Sequence, residues 1–337
     1  MITLLPDECL LEIFNNFRTN YRVLFSCLLV SRHWCRIIIP ILWSEPTKYV
    51  DDLRLIRIYL SALNAEEQAL LIPYKISLPT YQKTLFEYSS FTTYVELYFA
   101  DRNKDGIKNW LFKEGNEDYS FIYFCRNHDN YNYYDDYSYL KYYDIKEFNE
   151  QVNVIKYSLI EMFLRTSKKI KHLSIYEPIY DNILFERLLK NDTIISLKFR
   201  IKNFETTKLL SEILHKNITL NSLDISGNQL GSDGAEAIAE ALRKNTVLTT
   251  LHIGDNQTSS KEIIALAKAL CVNTALISLS IRFNQLNAEA RRALMDALYI
   301  NTTLTSLEFD GNKLNSKKFK TFVNGVRKDN RLVSLTY

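Results

Sequence analysis

The sequence lacks the short motifs by which many enzymes and nucleotide-binding domains are recognised. Glycine is scarce, at 8 of 337 residues, and no GxGxxG, phosphate-binding loop or GxSxG pattern occurs. The 5 histidines form no HExxH pair. A catalytic constellation, a metal site and a cofactor site are therefore all without support, and we expect a protein that is not itself an enzyme.

The chain also lacks an excess of one charge, a cysteine framework and a long apolar run. Its 42 basic and 39 acidic residues leave a net charge of +3, whereas binding to nucleic acid or to a membrane surface requires a concentrated basic face. The 5 cysteines are an odd number without a CxxC pair, which favours a reducing compartment. The N-terminus has no basic region of a signal peptide. We therefore expect a cytoplasmic or nuclear protein that binds neither nucleic acid nor a membrane.

The sequence does contain one motif, here called a phrase, that repeats at a fixed period. NITLNSLDISGNQL begins at Asn217, related phrases begin at Asn245, Asn273 and Asn301, and a shortened one, DNRLVSLTY, begins at Asp329. The central leucines are 28 residues apart: Leu223, Leu251, Leu279, Leu307 and Leu335. A constant period near thirty residues is typical of stacked-repeat proteins.

Each unit holds a strand pattern followed by a helix pattern. Leu223 and Ile225 place apolar side chains on one side of an extended segment, so Ser222 and Asp224 must face the other side. An apolar stripe at helical spacing ends the unit. An asparagine after each strand can satisfy backbone groups of the turns between units: Asn228, Asn256, Asn284 and Asn312.

Period, asparagine and apolar positions together resemble the leucine-rich repeats of the ribonuclease-inhibitor type. The resemblance implies an α/β fold, a curved solenoid with parallel strands on the concave side and helices on the convex side. Weaker strand signatures around Leu173 and Leu197 lengthen the array. We therefore expect about seven strand and helix units between Val152 and Tyr337, the first two degenerate.

The outward side chains of these strands are the candidate surface for a protein substrate. At about 4.8 Å per strand, one row across the strands would be roughly 19 Å long. Its members are Lys198, Asp224, His252, Ser280 and Glu308. Arg200, Arg282 and Asp310 lie at the edge, and an arginine can fork onto a carboxylate or a phosphate. The alternative is a merely solvated face, since small polar side chains line any soluble strand.

The first 46 residues carry three short helix patterns. Pro6 and Asp7 suit the first turn of a helix, and a third helix is expected to begin after Ser31 and to stop before Pro40. The first helix has an apolar stripe: Leu10, Ile13, Phe14 and Phe17. So small a unit with so much apolar surface should need a partner.

The segments LPDECLLEIF, LFSCLLVSRHW and ILW, in this order, resemble the F-box. Proteins of that family dock through these helices on the Skp adaptor of cullin-type ubiquitin ligases, and a second domain selects the substrate. Position by position, the resemblance assigns adaptor contact to Leu5, Pro6, Ile13, Phe14, Val30, Arg32 and Trp34, with Leu42 and Trp43 closing the motif. The alternative is that these residues are simply the core of a helical cap on the repeats.

The region between these two parts gives weaker signals. Helices are expected around Leu53–Leu63, Glu66–Ile72 and Ile107–Phe112, and a strand at Tyr94–Phe99. The segment 127–143, rich in Tyr, Asp and Asn, is interpreted as a surface insertion, with a docking or modification loop as the alternative. The expected domains are an F-box at 1–46, a helical connector with this insertion at 47–150, and leucine-rich repeats at 151–337.

Together the two resemblances imply a non-catalytic substrate-recognition subunit of a Skp/cullin/F-box ubiquitin ligase, with no cofactor. Its expected partners are a Skp-type adaptor, a cullin through that adaptor, and an unknown protein substrate. The alternative is a leucine-rich-repeat scaffold or inhibitor that has no ligase role.

Overall fold

The computed structural model describes residues 5–49, 52–76, 78, 86–97, 105–115, 143–176, 183–200, 204–228, 230–256, 260–284, 286–312 and 334–336. The chain divides into two compact units, Met1–Ile170 and Lys171–Tyr337. The domain boundary expected between residues 150 and 151 falls inside a helix of the first unit, α7 (Tyr143–Thr166). The Tyr-rich segment lies outside the described residues except for Tyr143, the first residue of this helix.

The first unit is largely helical. Its other helices are α1 (Asp7–Asn15), α2 (Tyr21–Leu28), α3 (Arg32–Leu42), α4 (Leu53–Leu60), α5 (Ala65–Ala69) and α6 (Gly106–Trp110). Strand β1 (Tyr94–Glu96) is shorter than the predicted strand, and 3-10 turns occupy Pro46–Tyr49, Ile72–Tyr74 and Tyr88–Phe91. The predicted connector helices and strand are thus confirmed in type, with bounds that differ by a few residues, and α6 continues as a π-helical segment at Leu111–Gly115.

Helices α1 to α3 enclose a small core of their own. Its buried members are Leu10, Phe14, Leu24, Ile38 and Ile41. The Phe14 ring meets the half-buried Trp34 ring edge-on at 5.0 Å between centroids. The Ser31 hydroxyl accepts the Trp34 N–H at 3.1 Å and caps α3. Buried apolar side chains on all three helices, together with side-chain caps on α2 and α3, therefore fix three short helices within about forty residues.

The prediction that α3 stops before Pro40 is wrong, because the helix continues to Leu42 with Pro40 inside it. A proline cannot donate to the carbonyl four residues earlier, and this destabilises a helix interior. Here Ile38, Ile39 and Ile41 are all buried around the proline. Their burial offsets the missing hydrogen bond, and the Trp43 N–H resumes the helical pattern by donating to the Ile39 carbonyl at 3.0 Å.

The second unit alternates strands and helices, as the repeats predict. Its strands are β2 (His172–Ile175), β3 (Ser196–Phe199), β4 (Ser222–Asp224), β5 (Thr250–His252), β6 (Ser278–Ser280), β7 (Ser306–Glu308) and β8 (Ser334–Thr336). The described helices between them are α8 (Ile183–Lys190), α9 (Phe204–Lys216), α10 (Gly231–Lys244), α11 (Ser260–Leu270) and α12 (Ala288–Ile300).

The strands pair in chain order, and each is parallel to the next. The central leucines of neighbouring strands lie side by side, from Leu173 and Leu197 through to Leu335. On one side of the sheet, Leu223, Leu251 and their equivalents up to Leu307 are buried. This is an α/β leucine-rich-repeat solenoid, with one side of the sheet packed into the core. We call the opposite side the outer face of the sheet.

The predicted asparagine ladder is present and buried. The Asn256 amide nitrogen donates to the carbonyls of Ile225 and Ile253 at 3.0 and 2.9 Å, and its oxygen accepts the Asn228 N–H at 2.7 Å. Because one amide serves two neighbouring units, the ladder couples each coil to the next.

A second asparagine ladder, which the sequence analysis did not identify, precedes the strands at Asn217, Asn245, Asn273 and Asn301. The Asn273 oxygen accepts the N–H groups of Ala275 and Leu276, while its amide nitrogen donates to the carbonyls of Leu242 and Asn245. The repeated asparagine that opens each phrase is therefore also structural.

Two further observations concern the described residues of both units. Among the described residues, no helix is both long and apolar enough to cross a membrane. Four cysteines within those residues are free thiols: Cys9, Cys27, Cys35 and Cys271.

Candidate functional site

An apolar surface remains uncovered on the first two helices and the turns beside them. Sixteen large apolar side chains are exposed among the described residues, and half of them lie between Leu5 and Val30. They are Leu5, Leu11, Ile13, Phe17, Tyr21, Phe25, Leu29 and Val30. Leu29 and Val30 are exposed to 69% and 63%. Such a concentration of apolar surface marks a site of protein interaction.

Polar contacts between α1 and α3 stabilise the helices that form this surface. The Arg18 guanidinium donates to the Ser44 hydroxyl at 2.9 Å and to the Glu45 carboxylate at 2.7 Å. These bonds tie the end of α1 to the end of α3. The His33 Nε2 lies 3.0 Å from the Asp7 carboxylate and joins the opposite ends of the same two helices. These contacts thus fix α1 relative to α3 and with them the position of the apolar surface.

The second candidate surface is the row across the outer face of the sheet. The strand register places Lys198 beside Asp224, Asp224 beside His252, His252 beside Ser280, and Ser280 beside Glu308. The sequence therefore predicted the members of the row and their order. Ser280 is only 3% exposed, because its short side chain lies between the longer ones of His252 and Glu308.

Much of the charge in this row is already paired within it. The Lys198 ammonium lies 3.1 Å from the Asp224 carboxylate and 5.7 Å from the centre of the Tyr176 ring. Burial lowers the pKa of Lys198, but its hydrogen bonds and charge interactions with Asp224 and Tyr176 outweigh burial, and the net pKa is raised. Lys198 thus stays charged at neutral pH.

Beyond this row the parallel pairing continues for one more outward position. The N–H groups of Gly227, Asp255 and Phe283 donate to the carbonyls of Gly254, Arg282 and Asp310. This arrangement sets five outward positions in a second line, which we call the edge row: Arg200, Ser226, Gly254, Arg282 and Asp310.

The two arginines of the edge row differ in their surroundings. Arg282 donates from Nη2 to one Asp310 oxygen at 2.7 Å, and its Nε lies 2.5 Å from the other oxygen as an ion pair. This hydrogen bonding raises the pKa of Arg282. Arg200 is exposed and has no ion pair within the described part of the chain. Among the described residues, the Arg200 guanidinium is therefore the less engaged of the two.

Two family models match parts of this chain. An F-box-like model matches residues 2–48, and a Leucine Rich repeat model matches residues 216–239. The chain carries an F-box-like domain followed by leucine-rich repeats. No curated protein matches it.

Among solved structures, the chain titled "Leiomodin-1 Actin-Binding Site 2 (ABS2)" is 22% identical over 45% of this chain and 90% of its own length. Its TM-score is 0.38.

Within the F-box-like domain, the residues expected to contact an adaptor fall into two groups. Leu5, Pro6, Ile13, Val30 and Arg32 are exposed and available to a partner. Phe14 is only 2% exposed and lies in the core, and Trp34 packs half-buried against that core. The expectation of direct contact at Phe14 is therefore corrected, because one helical turn from Leu10 places both side chains inside. Phe14 positions the helices.

Some exposed residues of the F-box-like domain were not assigned a contact from the sequence. Leu11, Phe25 and Leu29 belong to the same apolar surface and are 44%, 59% and 69% exposed. Phe17 was placed on the apolar stripe of the first helix with Leu10 and Phe14, yet it is 39% exposed because α1 ends at Asn15 and the chain turns there. The available signal was that Leu11 is apolar but stands outside the apolar stripe of the first helix.

Proposed function

We propose that this chain is the substrate-recognition subunit of a Skp/cullin/F-box ubiquitin ligase. The F-box-like domain would bind a Skp-type adaptor and, through it, a cullin, and the leucine-rich repeats would bind a protein substrate. The transfer chemistry would belong to the partners, in the cytoplasm or the nucleus. The observation that supports this proposal most is the apolar surface between Leu5 and Val30 on a domain that has already closed its own core.

The size of this surface suits a stable complex. Burying one large apolar side chain contributes about 1.5 to 3 kcal/mol, and a nanomolar complex requires about 12 kcal/mol in total. Side chains as exposed as Leu29 and Val30 can contribute near the upper part of that range. Arg32 is exposed beside them and would form part of a polar rim.

Replacing Val30 with aspartate, or Ile13 with aspartate, is expected to abolish recovery of a Skp-type adaptor. Each change buries an unpaired carboxylate in the interface while leaving the core intact, because both side chains are exposed. The measurement is co-precipitation of the adaptor with the purified full chain, together with the thermal midpoint. Ile72→Asp is the matched control, since Ile72 is 72% exposed and lies outside the apolar surface.

Recovery of the adaptor by both aspartate variants would show that this surface does not bind it. If the unaltered chain recovers no adaptor, the alternative of a leucine-rich-repeat scaffold or inhibitor without a ligase role gains support.

The substrate surface is proposed to be the outer face of the sheet, with Lys198, Arg200, Asp224, His252, Ser280, Arg282, Glu308 and Asp310 as its members. Reversing the charge at Asp224, Arg282 and Glu308 together is expected to abolish substrate capture by proximity labelling. Adaptor recovery and the thermal midpoint should change little, because exposed ion pairs contribute only about 0 to 1 kcal/mol.

The matched control reverses three exposed charges on the helices, with Glu240→Lys, Arg243→Glu and Lys268→Glu. Substrate capture that survives the first triple change would exclude the outer face and turn attention to the Tyr-rich segment 127–143.

A further inference from the structure

Four residues at one repeat position share an unusual backbone conformation. They precede the buried asparagines directly, and their φ angles are 70° at Gly227, 52° at Asp255, 51° at Phe283 and 73° at Gly311. Glycine adopts this left-handed region freely and aspartate tolerates it, whereas a bulky aromatic residue does so at a cost in stability. Phe283 is therefore the exception in the series.

Burial does not offset this strain, because Phe283 is 54% exposed. Its ring lies against Gly311, where an added Cβ would overlap the ring carbons. The Arg282 guanidinium lies 5.6 Å from the ring centre and is itself held by Asp310. Neighbours on two sides thus fix the ring while leaving about half of it open to solvent. Exposed aromatic residues of this kind are typical anchors of protein interfaces.

Phe283 directly follows Arg282, which ends the stretch of the edge row that we call the trough. The floor of the trough is formed by Ser226 and Gly254, the small residues between the two arginines. The Arg282 backbone already approaches Gly254 closely, since a Cβ there would be 3.1 Å from the Arg282 carbonyl oxygen. At the other end Arg200 reaches toward Gly227, with its Nη2 3.8 Å from the position a Cβ would take there.

We propose that this trough binds an extended segment of the protein substrate, with an anionic side chain on Arg200 and an apolar side chain on Phe283. The proposal rests on the proposed function only in that the repeats bind a protein. Arg200 supplies a positive charge without an ion pair in the described residues, so an anion complements it. The two ends are three strands apart, about 14 Å, which an extended chain spans in about four residues. The recognised feature is an acidic and an apolar residue at that spacing.

The experiment is selection of displayed random twelve-residue peptides on the purified full chain. We expect enrichment of sequences with Asp or Glu three to five residues from Phe, Leu or Ile. Arg200→Gln should remove the acidic preference, and Phe283→Gly the apolar preference, each lowering the affinity of a selected peptide about tenfold. Synthetic peptides with glutamate or phosphoserine at the acidic position separate a carboxylate from a phosphate as the source of charge. The proposal is overturned if the enriched peptides do not share this spacing. It is also overturned if Arg200→Gln and Phe283→Gly both enrich the same peptides as the unaltered chain.

The thermal midpoint distinguishes a binding role of Phe283 from a structural one. Because glycine relieves the left-handed strain, Phe283→Gly is expected to keep the midpoint or to raise it by about 2 °C while affinity falls. A lowered midpoint would show that the ring mainly supports the fold and would overturn its role as an anchor. Asp255→Gly is the matched control at the preceding repeat and should leave peptide affinity unchanged. Adaptor recovery is measured in parallel, so failure of the trough and failure of the ligase role are distinguishable.

Discussion

Replacing Arg165 with alanine is expected to destabilise the first compact unit by about 3 kcal/mol. Arg165 donates to both carboxylate oxygens of Glu67 at 2.7 and 2.8 Å and to the Ala62 carbonyl at 3.0 Å. The Glu67 side chain is only 3% exposed, so the variant leaves a buried carboxylate with a single described partner, the Asn64 N–H at 2.8 Å. The hydrogen bond to Glu67 also raises the pKa of Arg165.

Tryptophan fluorescence during urea unfolding measures this effect, because Trp34, Trp43 and Trp110 all lie in the first compact unit. The matched control is Arg54→Ala, which removes an equally close but exposed pair with Asp52 and should leave the urea midpoint unchanged.

The double variant Glu67→Gln/Arg165→Ala should regain part of the loss. Glutamine carries no charge and can keep the capping box with Asn64. If Arg165→Ala is no more destabilising than Arg54→Ala, the buried pair does not support the fold in the way argued.

The sequence predicted the repeat domain well because its period is fixed. Once Leu223 and Leu251 are assigned to the core, the same interval places Asp224 beside His252, and the observed register agrees. Which charges neutralise each other could not be predicted in this way. The pairing of Arg282 with Asp310 depends on side-chain rotamers and on distances across strands, which a one-dimensional period does not contain.

The left-handed conformation of Phe283 also escaped prediction. Only the alignment of Gly227, Asp255, Phe283 and Gly311 at one repeat position indicates it. Phenylalanine itself disfavours a left-handed backbone, so the residue type at this position predicts the opposite. A local preference was overridden by the turn geometry that the buried asparagine ladder imposes.

The sequence predicted the F-box-like domain in outline, but two details of that prediction were wrong. The helical stripe identified Leu10 and Phe14 as one face but could not show that this face is the core and not the contact surface. Helix rules place a helix end before Pro40, yet tertiary packing of the isoleucines around it carries α3 further. In both cases packing against a neighbouring helix decided the outcome, and such packing is not a property of the local sequence.

Replacing Asn256 with leucine is expected to destabilise the repeat domain by about 3 kcal/mol. The leucine would fill similar space but remove the Asn256 amide from the Ile225 and Ile253 carbonyls and from the Asn228 N–H. The Ile225 carbonyl would keep its bond from the Asn228 amide at 2.6 Å. Asn284→Leu should be less harmful, about 1 to 2 kcal/mol, because the bonds of Asn284 to Ile253 and Ile281 are longer, at 3.2 Å each.

Urea unfolding followed by far-ultraviolet circular dichroism measures both changes, with Asn221→Leu as the matched control. Asn221 is exposed, so the same substitution there should leave the unfolding midpoint nearly unchanged. The expected order of destabilisation is Asn256→Leu, then Asn284→Leu, then Asn221→Leu. Equal midpoints for the three variants would contradict the ladder as a source of stability. A larger loss at Asn284 than at Asn256 would show that position in the array, not hydrogen-bond length, governs how strongly each asparagine couples neighbouring coils.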